Sequence, residues 1–358
     1  MDVNSCANLV LSKGSVFSFV PIIIFEPSRI LGLKSIAILP EGMSKERFSW
    51  LEKWVEDKND IIKTVGSESN VKEIYDACNE LKKNPKMDII NQFDEYYNYG
   101  IHRAVTGPSF EKSFLEVKGQ TNLKARFYVS ASGSSGTLAA GDYLKDKLAT
   151  KIAVVEASEC PTLLRNGYGE HNIQGIGDKH VPLIHNVMNT DFVVGVSDKA
   201  TNNLNILFNS KIGHKYLTKR KGLELDLVNR LPEFGFSALA NIVASIKLCK
   251  YMRLGPDDAI ITVATDGADL YLSELEKTKK NYQGTLDNSA CSNIYKKYIS
   301  EINSDNMLEL SQNDKERIFN LGYYTWVEQQ GVSLIDFEKR KDQGFWLEHY
   351  NYMISLDE

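Results

Sequence analysis

Residues 130–145 read SASGSSGTLAAGDYLK, and the first eight hold four serines, two glycines and a threonine. The stretch ARFYVSAS (125–132) that leads into them has the apolar, β-prone composition of a strand. TLAAGDYLKDKLAT (137–150) has helical spacing. A strand–loop–helix unit leaves backbone N–H groups unpaired at the start of the helix, where the peptide dipoles favour an anion. Gly133 and Gly136 let the backbone approach that anion, and Ser134, Ser135 and Thr137 add hydroxyl donors. The expectation is a phosphate cradle.

Several tenants fit such a cradle. The P-loop lysine is absent, because Gly136 is followed by Thr137 and Leu138. The GxGxxG dinucleotide fingerprint is absent too, since the glycines stand at 133, 136 and 141. Glu156, however, ends the next strand, KIAVVEAS (151–158), twenty residues beyond Gly136. That placement imitates the acid that holds a ribose in dinucleotide folds, so an NAD-dependent oxidoreductase competes. A bare structural turn is a further alternative. Three hydroxyls suit a phosphate monoester best.

Outward from the loop, strand and helix signals alternate. SIAIL (35–39) and IIKTVG (61–66) read as strands, with the helix SKERFSWLEKWVEDK (44–58) between them. VKEIYDACNELKKN (71–84) reads as a helix and MDIINQF (87–93) as a third strand. GIHRAVTGPSFEKSFLEV (100–117) reads as two helices broken at Gly107-Pro108. DFVVGVSD (191–198) and AIITVATD (259–266) are buried-type strands, and FSALANIVASIKLCKYMRL (236–254) is a long buried helix. This βα alternation predicts parallel sheets. Beyond residue 275 the chain turns charged and aromatic with helical periodicity, so a helical C-terminal extension is expected.

Composition narrows the function. The chain has 358 residues and a net charge of −5, with no long basic block, so nucleic acid is not expected as a partner. Five scattered cysteines, without a CxxC pair, point to a reducing compartment and no disulfide framework. His180 and His185 are poorly spaced for ligation around Pro182, and no metal site is expected. VFSFVPIIIF (16–25) is far shorter than the ~20 residues of a membrane span and lacks signal-peptide flanks. It reads as a buried strand, so no membrane association and a cytoplasmic location are expected.

Several blocks, in order, carry a family likeness. They are LGLKSIAILPEGMSKERF (31–48), NQFDEYYNYGIHRAVTGP (91–108), GSSGT (133–137), VVEASECPTLLRNGYGEHNIQGIGDKHVP (154–182), GFSALANIVASIKLCKY (235–251) and ATDGADLYLSE (264–274). The chain resembles the cysteine synthase-like branch of fold-type II pyridoxal-phosphate enzymes, the tryptophan synthase β superfamily. HNIQGIG (171–177) is the most specific of these matches. The resemblance covers about residues 30–275 and implies α/β architecture, with two open twisted sheets and the cofactor between domains. Residues 1–93 would be the remnant of the smaller domain, 94–275 the cofactor domain and 276–358 the helical extension.

The resemblance also implies roles. Gly133, Ser134, Ser135, Gly136 and Thr137 would hold the phosphate of pyridoxal 5′-phosphate. Gln92 would bind the substrate carboxylate, with a polar strand end as the alternative. Gly175 and Gly177 would line the substrate side. Thr265 or Asp266 would face the pyridine nitrogen, or Asp266 would only cap a helix. Ser237 reads as a helix cap. The implied activity is β-elimination or β-replacement on a small amino acid of the serine, O-acetylserine or cysteine class, by a homodimer.

One part of the family pattern is absent. The cofactor lysine of this family lies in a Ser-x-Lys-Asp-Arg stretch, followed by a Ser-Gly-Asn-Thr-Gly loop, and neither stands in this sequence. NLVLSKGSVFSFVPI (8–22) occupies the place of the loop, and Lys13 lacks the motif. Two expectations follow: an N-terminally incomplete enzyme that folds poorly alone, or a non-catalytic ligand-binding or interaction protein. No catalytic residue is assigned.

Overall fold

The computed structural model describes residues 8–12, 30, 34–55, 57–67, 69–282 and 286–357. Cys6, Lys13 and the apolar segment 16–25 lie outside them.

In chain order come β1 (Asn8–Ser12), β2 (Ala37–Pro40), α1 (Lys45–Leu51), β3 (Ile61–Thr64) and α2 (Val71–Leu81). Then follow α3 (Tyr96–Ile101), α4 (Gly107–Lys118), β4 (Lys124–Ala131), α5 (Leu138–Leu148), β5 (Lys151–Ala157) and β6 (Phe192–Val196). The chain continues through α6 (Asp198–Asn209), α7 (Phe236–Met252), β7 (Asp258–Val263), α8 (Leu272–Lys280), β8 (Met307–Glu309), α9 (Gln312–Tyr323) and α10 (Gln343–Asp357).

Among the described residues, six strands form one sheet in the order β1-β7-β4-β5-β6-β8, and β2 and β3 form a second, parallel pair. The large sheet is parallel except at β8, which runs antiparallel to β6. In β5 and β6 nearly every residue is buried, the pattern of a parallel sheet covered on both faces. Phe127 of β4 and Phe192 of β6 meet edge-to-face at 5.5 Å in the largest cluster. The buried side of α7, including Leu239, Val243 and Leu248, packs into the same cluster. On the opposite face, α5 places Ala140, Gly141 and Leu144 against the sheet. A Cβ at Gly141 would come 2.6 Å from the Tyr128 ring, so the helix sits as close as a side-chain-free position allows.

Three expectations are corrected. MDIINQF forms no strand: it is loop and turn. Ile90 is 63% exposed, and Phe93 is the one buried residue among the segment's apolar side chains. The Phe93 carbonyl instead accepts from Leu183 and Ile184. The stretch around Gly107-Pro108 does not break either. A π-helical turn, His102–Thr106, joins α3 to α4 and shifts the hydrogen-bond register just before a residue that has no N–H to give. The C-terminal stretch is helical apart from β8, whose three residues carry too little pattern to be read.

Phe127→Ala removes a ring that is 1% exposed. It is expected to lower stability by about 3–5 kcal/mol, measured by urea unfolding.

Candidate active site

The serine-glycine loop joins the end of β4 to the start of α5. Among the described residues, the backbone N–H groups of Gly133, Ser134, Ser135, Gly136 and Thr137 have no hydrogen-bond partner, so five successive donors stand at one helix start. The hydroxyls are ordered among themselves. Ser132 Oγ lies 2.8 Å from Ser135 Oγ, and Ser130 Oγ lies 2.8 Å from Thr137 Oγ1. Tyr128 OH donates to the Thr137 carbonyl at 2.8 Å. Ser135 has φ +72°, a left-handed conformation held in part by its bond to Ser132.

The Gly-Ile-Gly segment packs directly on this loop. Gly177 N–H donates to the Ser132 carbonyl at 2.7 Å. A Cβ at Gly133 would stand 2.9 Å from the Gly175 carbonyl oxygen. Gly177 has φ +75°, and a Cβ there would lie 2.7 Å from His171 Nε2. That imidazole donates to the Gly177 carbonyl at 2.8 Å. Gln92 reaches the same place through a residue the sequence reading passed over. Asn98 Nδ2, at the start of α3, donates to the Gln92 carbonyl at 2.9 Å and to Ser134 Oγ at 3.1 Å. Gln92 therefore sits on a turn beside the loop, not at a strand end.

Thr265 and Asp266 part company beyond β7. The Thr265 hydroxyl, half-buried, lies 3.2 Å from that of Ser237. The cap reading of Ser237 is corrected: Gly235 occupies the N-cap of α7. The cap reading of Asp266 is corrected as well, because Gly267 precedes the next turn. Asp266 Oδ2 instead accepts from Arg47 at 2.6 Å and from Tyr271 OH at 2.5 Å. Arg47 comes from α1, and a Cβ at Gly175 would lie 3.5 Å from its guanidinium. Two neighbours of Arg47 tie α1 to the same wall. Ser44 donates to Gln174 Oε1 and to the Leu270 carbonyl, at 3.0 and 2.7 Å. Glu46 accepts from Ser273 N–H and Oγ, at 3.0 and 2.6 Å. Arg47 stands inside the quoted PEGMSKERF block, but its partner is 219 residues away, and no local pattern pairs them.

The ribose reading of Glu156 is overturned. Its two carboxylate oxygens accept from Leu163 and Leu164 N–H, at 2.8 and 2.9 Å, and the residue is 3% exposed. It caps the short turn Thr162–Arg165 and is not available to a sugar, which removes the observation behind the NAD reading. Burial pushes its carboxyl up to about 7, against the pull of the two N–H groups. Among the described residues no group of three or more His, Cys, Asp or Glu could hold a metal ion. No described helix is long and apolar enough to cross a membrane.

These residues fit the phosphate end of pyridoxal phosphate. Five unpaired N–H groups and adjacent hydroxyls supply donors, and among the described residues no carboxylate is bonded to the loop.

Asp266→Ala removes the carboxylate that pairs with the buried Arg47 guanidinium and accepts from the Tyr271 hydroxyl. A loss of about 3–5 kcal/mol is expected by denaturant unfolding. For Glu156 the folded carboxyl binds its proton more tightly than the unfolded one, whose ordinary value is 4.5. Its contribution is fully present below about 4.5 and is lost as pH rises through about 7. The stability difference between the parent chain and Glu156→Gln is expected to shift against the parent across that window, read from melting temperatures at successive pH values.

No protein-family model matches the chain. Cysteine synthase B of Campylobacter jejuni subsp. jejuni is 31% identical over 246 residues, 68% of this chain and 71% of the relative. A probable cysteine synthase of Bacillus subtilis is 26% identical over 244 residues, 68% and 70% of the two chains. Among solved structures, a hydrogen-sulfide-producing enzyme of Fusobacterium nucleatum superposes with a TM-score of 0.56 at 23% identity, covering 86% of this chain and 81% of that one. An O-acetylserine-dependent cystathionine β-synthase of Helicobacter pylori gives 0.53 at 23% identity, covering 75% and 77%. These structures share the fold. The identity to cysteine synthase B over more than two thirds of each chain, on this same architecture, makes the chain a member of the cysteine synthase-like family of fold-type II pyridoxal-phosphate enzymes.

Proposed function

We propose that the chain binds pyridoxal 5′-phosphate with its phosphate on Gly133–Thr137 and acts on a small amino acid of the serine, O-acetylserine or cysteine class, by β-elimination or β-replacement. The observation that carries this reading is the row of five unpaired N–H groups at the start of α5. The cysteine synthases of Campylobacter and Bacillus support the substrate class. Thr265, with Ser237 beside it, would face the pyridine nitrogen with a hydroxyl, while Asp266 is held aside by Arg47 and Tyr271. Bound there, the cofactor supplies an electron sink for bond cleavage at the α-carbon. Gln92 would donate its amide to the substrate carboxylate. Gly175 and Gly177, without side chains, leave room on the substrate side.

The finer parts of the reading are lyase or transferase activity, a homodimer, a cytoplasmic location, and a division at about residues 93 and 275. The free thiols Cys78, Cys160 and Cys291 support a reducing compartment. A second reading, a ligand-binding protein without catalysis, is favoured by one observation: the sequence contains no Ser-x-Lys-Asp-Arg stretch. Lys13 lies outside the described residues.

Borohydride reduction of the purified chain with pyridoxal phosphate, followed by peptide mapping, separates the two. The enzyme reading expects one modified lysine and an absorbance change on adding O-acetylserine. No adduct and no change would favour the binding protein. Gly133→Ala drives a methyl toward the Gly175 carbonyl, 2.9 Å away. It is expected to weaken pyridoxal phosphate binding by about tenfold or more, the value of a lost hydrogen bond to a charged group.

A further inference from the structure

Asn98 sits on a rigid element. Its neighbour Tyr99 is 1% exposed, lies 4.8 Å from the Trp346 ring, and donates its hydroxyl to the buried Asp142 at 2.7 Å. The Asn98 amide spends both of its hydrogens. One goes to the Gln92 carbonyl at 2.9 Å, which can only accept and so fixes which way the amide faces. The other goes to Ser134 Oγ at 3.1 Å. Among the described residues Ser134 Oγ has no other partner. Its oxygen is therefore an acceptor toward Asn98, and its own hydrogen is left to donate elsewhere. Gly136 presses the loop against the same amide: any side chain there would collide with Asn98 Oδ1.

We propose that Asn98 is a positioning residue that fixes the polarity of the Ser134 hydroxyl, turning it into a donor to the cofactor phosphate. The inference rests on the reading of Gly133–Thr137 as the phosphate site. Alanine at 98 removes the donor, so the hydroxyl is free to rotate away. Aspartate at 98 keeps the shape but reverses the polarity: the carboxylate accepts the Ser134 hydrogen and adds negative charge beside the phosphate.

The test is calorimetric binding of pyridoxine 5′-phosphate, which carries the phosphate but no aldehyde and so needs no lysine. Asn98→Ala and Ser134→Ala are each expected to weaken binding by about tenfold. The double variant is expected to bind no more weakly than Ser134→Ala alone, because Asn98 acts through that hydroxyl. Asn98→Asp is expected to bind more than about tenfold more weakly than the parent, and more weakly than Asn98→Ala, so measured against the parent it serves as the readout if the alanine variant does not fold. Parent-like binding by Asn98→Ala, additive losses in the double variant, or Asn98→Asp binding as well as Asn98→Ala would each overturn the inference while leaving the phosphate site standing. No binding by the parent chain would overturn the phosphate-site reading and the inference together.

Discussion

The hydrogen bond from Gly177 N–H to the Ser132 carbonyl, 2.7 Å long, fixes where the Gly-Ile-Gly segment lies against the serine-glycine loop. Around it the backbones approach so closely that Gly133 has no room for a methyl, and Gly177 adopts a left-handed conformation over His171. The loop thus owes its shape to the segment lying on it as well as to the strand and helix it joins. The Ser130, Ser132, Ser135 and Thr137 hydroxyls pair within the loop, and among the described residues the five N–H groups of 133–137 are left without partners. Unpaired N–H groups gathered at a helix start, where the peptide dipoles favour negative charge, make a ready anion site.

Charge arranges the other wall. A carboxylate at Asp266 would oppose an anionic ligand in the cleft if it stood alone. Arg47 neutralises it at 2.6 Å and, in doing so, ties α1 to the segment that follows β7. Buried ion pairs are weak sources of net stability but costly to break. Their value here is register: together with Ser44 and Glu46, Arg47 sets α1 against residues 270–273. Glu156 illustrates the opposite case, a buried acid satisfied wholly by backbone N–H groups, with its proton held more tightly than in water.

Much of this was legible in the sequence because it is local. The cradle and the βα alternation around it follow from local strand, loop and helix signals, whereas Gly175 and Gly177 entered only through what the family resemblance implies. Glu156 misled because spacing alone cannot tell a carboxylate facing a ligand from one capping a turn seven residues on. MDIINQF misled because a short apolar run reads as a strand by residue type, while strand formation depends on neighbours to pair and pack with. The π-helical turn before Pro108 has no sequence signature beyond the proline it accommodates. Arg47 and Asn98 sit in the quoted family blocks, yet their partners are 219 and 36 residues away, a pairing that only the assembled fold reveals.

The central claim is that the Gly133–Thr137 loop is a phosphate site of a pyridoxal-phosphate enzyme. A crystal structure of the chain grown with pyridoxal phosphate tests it most directly. The account predicts phosphate density within hydrogen-bond distance of the 133–137 backbone N–H groups and the Ser134 hydroxyl, with the ring nitrogen toward Thr265. Cofactor density elsewhere, with that loop empty, would contradict it.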